Sequence, residues 1–109
     1  MGTSASNRFT GQPDAFCTGT TSAGNPLVVT ATKDALFTRT ADGIYVVTTT
    51  QNFDAAHCKV DVDVDAANPT VQVVHTSATV KTINVFTGST GVALAPTRIA
   101  VTIKKLLSP

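Results

Sequence analysis

The chain has 109 residues, eight Lys and Arg against seven acids, and a net charge of +1. Only 14% of its residues are charged, against roughly 25% in an average soluble domain. Its basic residues are scattered, with Lys104-Lys105 the only adjacent pair, which excludes the clustered cations that phosphate binding needs and so a nucleic-acid partner. No apolar run approaches the ~20 residues of a membrane span, so no membrane partner is expected.

The length fits one domain, long enough for a modest core that would gain from assembly with copies of itself. All the acids are Asp; Glu and Trp are absent, while Thr and Val abound. Both of the latter favour strands, because a branched Cβ is stiff in a helix and packs well on a pleated surface. Without Glu or long Lys and Leu runs, no stretch reads as a surface helix. The expected class is all-β.

In chain order, residues 1–25 are rich in Gly, Ser, Thr, Asn and Pro, with isolated Phe9 and Phe16. They read as an extended N-terminal arm, either a loose tail or a docking segment in which Arg8, Phe9 and Phe16 engage a neighbouring subunit or a partner. The beginning of the chain lacks the apolar core of a secretory signal, so synthesis and retention in the cytosol of the cell that makes it are expected.

Residues 26–109 are assigned to one sandwich domain. Strands are predicted at 26–33, 35–40, 44–50, 58–65, 70–76, 79–87 and 97–106. Asp42-Gly43, Asn68-Pro69 and the Gly-Ser-Thr-Gly of 88–91 separate them as turn signals. Short strands at this spacing predict an antiparallel β-sandwich, with a jelly-roll or an immunoglobulin-like connection. Alternation places Ile99, Val101 and Ile103 on one face, with Arg98, Ala100, Thr102 and Lys104 opposite. Ile83 with Val85, and Val71 with Val73, form similar inward pairs.

Within 58–65, Asp61, Asp63 and Asp65 alternate with Val60, Val62 and Val64. On a strand such carboxylates lie in a row spaced by roughly 6.6 Å, too far apart to share a small cation directly. A calcium loop needs Gly at its sixth position and Glu at its twelfth, where Ala66 and Gln72 stand. The expectation is a valine core face and a solvated Asp face whose charges discourage edge-to-edge pairing. No metal and no cofactor is expected.

Cys17 and Cys58 permit one disulfide, but cytosolic synthesis favours free thiols. His57 and Cys58 are adjacent, so on a strand they would face opposite sides. His75 could approach Cys58 from another strand, yet no third orienting group can be placed. The Gly-Ser-Thr-Gly turn lacks the Lys-Ser/Thr ending of a phosphate loop. No catalytic residues are predicted, and the chain is not expected to be an enzyme.

Residues 37–55 ("FTRTADGIYVVTTTQNFDA") and 70–106 ("TVQVVHTSATVKTINVFTGSTGVALAPTRIAVTIKKL") resemble small head-decoration proteins of tailed phages. The likeness lies in a Gly-hydrophobic-Tyr strand, here Gly43-Ile44-Tyr45, followed by strands like "KTINVFT" and "TRIAVTIKKL". It implies a β-sandwich on the outer capsid surface of a virion, commonly a homotrimer. Such a protein binds the shell of major capsid protein where capsomers meet and reinforces it. The alternative is a phage tail or receptor-binding β-sandwich module that binds glycan or a host surface.

Overall fold

The computed structural model describes residues 14–88 and 91–105. Among the described residues nine strands follow one another: β1 (Ala15–Thr20), β2 (Val28–Lys33), β3 (Ala35–Ala41), β4 (Ile44–Thr49), β5 (Cys58–Asp65), β6 (Pro69–His75), β7 (Val80–Thr87), β8 (Val92–Ala93) and β9 (Arg98–Lys105). A 3-10 turn, Ala55–His57, leads into β5. The strands form two antiparallel sheets, one of order β2-β1-β9-β5 and one of order β3-β4-β7-β6, with short β8 added to β7. The all-β sandwich expected from the Thr and Val content is the observed class.

The strand order also separates the two topologies. In immunoglobulin labels, β3-β4-β7-β6 follows the A-B-E-D sheet, and β5-β9-β1 follows C-F-G. The connection is therefore the immunoglobulin-like one in permuted form, with the G position filled from the N-terminal side. β2 extends that sheet by one further strand.

This placement corrects the expected arm. Residues 15–20 are not a lead-in but an inner strand, hydrogen-bonded to β9 on one side and β2 on the other. The sandwich thus begins at Ala15 rather than at 26. Its inward side chains are small: Ala15 and Cys17 are fully buried, and Gly19 has no room for a Cβ, which would lie 2.8 Å from Leu27 Cδ1. Small residues let β1 lie deep in the core without a hydrophobic run to announce it.

The core forms where the inner faces meet. Tyr45, Val47, Ile83 and Val85 from one sheet are buried with Cys17, Ile99, Val101 and Ile103 from the other. Each large side chain so buried contributes about 1.5–3 kcal/mol. The Tyr45 hydroxyl keeps a partner inside, lying 3.4 Å from Thr21 Oγ1. Phe37 packs a tilted ring 6.2 Å from that of Tyr45, and Phe53 is buried from the segment after β4.

Two tight crossings carry the chain between the sheets. β2 passes to β3 through Asp34 (φ 53°), and β5 to β6 through the 66–68 turn with Asn68 (φ 51°). Asp and Asn tolerate the left-handed conformation better than other side chains. The hairpin between β3 and β4 turns on Gly43 (φ 76°). Asp42 in that hairpin accepts from Gly24 N at 3.0 Å and pairs with Arg39, tying the β1–β2 loop to it.

Candidate functional site

The outer face of the first sheet carries the residues that drew attention in the sequence. The Asp row lies on the edge strand β5, with Asp61, Asp63 and Asp65 exposed and Val60, Val62 and Val64 packed against the core. The register pairs Asp65 with Arg98 and Asp63 with Ala100 on β9. From there Arg98 donates to Asp65 Oδ2 at 3.0 Å and to Asp63 Oδ2 at 2.8 Å. These carboxylates hold the guanidinium still more firmly in its charged form. Lys59 Nζ lies 3.8 Å from Asp61 Oδ1. The row is a set of surface ion pairs, and among the described residues no group of His, Cys, Asp or Glu is gathered to hold a metal ion.

Of the three arm residues expected to dock, Arg8 and Phe9 lie outside the described residues. Phe16 is in β1, half-buried, opposite Thr102 on β9 and Lys33 on β2. Its neighbours on both sides are backbone-paired strands, so this ring belongs to the sheet's outer face and cannot swing out with an arm.

The Cys and His residues do not assemble into a reactive pair. Cys17 pairs through Val101 with the level of Val62, whereas Cys58 sits at the level of Lys105. That offset is about 13 Å along the sheet, beyond the reach of a disulfide, and both thiols are free. Burial pushes the Cys17 thiol up to about 12. Burial raises that of Cys58 too, offset in part by nearby Lys81, so neither is an activated thiolate. His75 is held below its usual value by burial and by the same lysine. His57 is exposed and lies 3.5 Å from Asp54.

Lys81 is the residue that sequence reasoning missed. It is fully buried, and its Nζ donates to the main-chain carbonyls of Phe53 and Ser77. A buried amine needs such partners, since an unsatisfied one costs far more than it returns. The signal was present in "VKTINV": Lys81 shares the inward parity of Ile83 and Val85. Beside it, Asn52, Asp54, His57, Ala78 and Lys105 line an open cleft of about 460 Å³. Lys105 Nζ stands 5.6 Å from the centre of the Phe53 ring.

The edges of the first sheet differ. β5 is guarded by its Asp row, whereas all six residues of β2 are exposed. Val28 is 60% and Val29 44% exposed, and Lys33 is the strand's one charged residue. Among the described strands none pairs with the outer edge of β2. Compared with known proteins, the chain matches no family model, no curated protein and no solved structure.

Proposed function

We propose that this chain is a non-enzymatic structural protein of a phage virion. It binds the outside of the head shell, as a homotrimer in contact with the major capsid protein, and reinforces that shell. The observation that carries the reading is the unequal pair of edges on the first sheet. A fully exposed edge strand with apolar residues is a template for pairing with another chain, which sandwich proteins ordinarily blunt with charge. Here β5 is blunted and β2 is not. A domain built to sit against a repeated surface needs such an adhesive edge. The resemblance to head-decoration proteins points the same way.

The test is to mix the purified protein with shells that lack it and to image them. Decoration at regular positions is expected, weakened by Val29→Lys and unchanged by Asp63→Asn. A protein that ignores shells but binds a glycan, through the cleft at Asn52, Asp54 and His57, would move the reading to a tail or receptor-binding module.

A further inference from the structure

The ionisable side chains of β3, β4, β6 and β7 are Arg39, Tyr45, His75 and Lys81. All four fall on the inward parity of their strands, in register with core residues such as Phe37, Val47 and Ile83. The outward parity of these strands therefore has no charge. It presents Leu36, Ile44, Val46, Val74, Val80 and Phe86 among Thr, Asn and Gln. Leu36 is 68% exposed and Val74 39%. The first sheet is the opposite case, since its outer face carries Lys59, the Asp row, Arg98 and Lys104.

We propose that copies of this chain associate through the uncharged outer face of the β3-β4-β7-β6 sheet. Three observations select a second copy as the occupant. When this face meets itself, no like charges are brought together, whereas the outer face of the first sheet would oppose its own Asp row and lysines. The polar side chains of the face already satisfy one another in its plane. Asn84 Nδ2 donates to Gln72 Oε1 at 3.2 Å, and the Thr76 and Thr82 hydroxyls lie 3.0 Å apart. Covering them therefore leaves few orphaned groups. The third observation is size: four strands of six to eight residues cover about 500 Å² per copy, or about 1,000 Å² for two, the lower bound of a specific interface. Association at that bound is concentration-dependent, weak in dilute solution and reinforced when copies sit side by side on a surface.

A face that meets itself pairs two copies about a two-fold axis, so this contact is separate from the three-fold contact of the proposed homotrimer, and it stands whether or not the chain binds a shell. Its test is sedimentation of the full chain over a wide concentration range. The variants are Val46→Lys and Thr82→Lys, which sit opposite each other at the centre of the face, with Thr102→Lys on the other sheet as control. Thr82→Lys alters a less apolar position, and circular dichroism checks that each variant is folded. Wild type and the Thr102 variant should associate reversibly at high micromolar concentration. The two central lysines should each weaken association at least about tenfold, since they place an uncompensated charge in the contact. A wild-type chain that stays monomeric to its solubility limit, or association that survives both central lysines, would overturn the proposal.

Discussion

The Nζ of Lys81, on β7, donates to the carbonyl of Phe53, 28 positions earlier in the chain, and thereby pins the segment after β4 against the turn that opens β7. A second bond from the same nitrogen, 2.9 Å to Ser77 O, closes the clamp from the other side. Lys81→Met keeps much of the volume but leaves the Phe53 carbonyl without this donor, while Ser77 O keeps Val80 N at 3.4 Å. The expected cost is about 1–3 kcal/mol for the one orphaned group, with Lys81→Ala worse because it adds a cavity. Urea unfolding measures it, and a Met variant as stable as wild type would show that the clamp contributes nothing.

Val62→Asp and Asp63→Val should behave oppositely. Val62 lies opposite Val101 and packs on the core, so a carboxylate there is expected to cost several kcal/mol from lost burial and an unpaired charge. Asp63 is exposed and gives Arg98 only one of its two carboxylate partners, so its loss should shift stability by less than about 1 kcal/mol. It should instead make β5 more adhesive. Denaturation paired with light scattering separates the two effects.

Gly43 and Gly24 share a φ of 76° but differ in surroundings. A Cβ at Gly43 would lie 2.6 Å from Val85 O and 2.9 Å from Leu94 N, while at Gly24 nothing stands within 4 Å. Gly24→Ala is expected to cost about 1–2 kcal/mol from backbone strain alone. Gly43→Ala should add about 1–3 kcal/mol for the crowding against β7 and the chain after β8. Equal losses in thermal unfolding would contradict the crowding.

The Cys17 thiol sets an alkaline limit. Its folded value, about 12, stands above the ordinary 9.0, so between these values the native chain holds a proton that the unfolded chain has lost. Stability from this group is fully present below pH 9 and declines as pH rises toward 12. Cys17→Ala should flatten that part of the pH–stability curve, measured by urea unfolding from pH 8 to 11. In native protein at neutral pH, a thiol reagent should modify half-buried Cys58 well before Cys17.

Much of this was legible because apolar and polar residues alternate. The Asp and Val positions of 58–65 fixed both the span of β5 and its faces, and the triplet Ile99, Val101, Ile103 did the same for β9. β1 was not legible: its core side is Ala15, Cys17 and Gly19, whose small volumes carry little hydropathic signal, so 15–20 read as part of an arm. β8 is two residues long and rests on its hydrogen bonds to β7. Of the candidate sites, the Asp row was correctly read as a solvated face, although its cross-strand clamp by Arg98 needed the register. Lys81 was hidden by its type, since a lysine on a strand is ordinarily a solvated residue.

The central pairing of β1 with β9 has a kinetic consequence. Asp14 accepts from Lys105 N across 91 positions of chain, so the middle of the first sheet closes only through one of the longest loops available. Until β9 arrives, β1 and β5 each carry an open edge, and on local information the nascent chain can complete the β1-β2, β3-β4, β6-β7 and β7-β8 pairings but not the middle of the first sheet. Folding is therefore expected in the slow, milliseconds-to-seconds regime of non-local sheets, which stopped-flow refolding can time. During that wait the Asp row guards β5 against a stranger's strand, while the slender, small-residue edge of β1 waits for its partner.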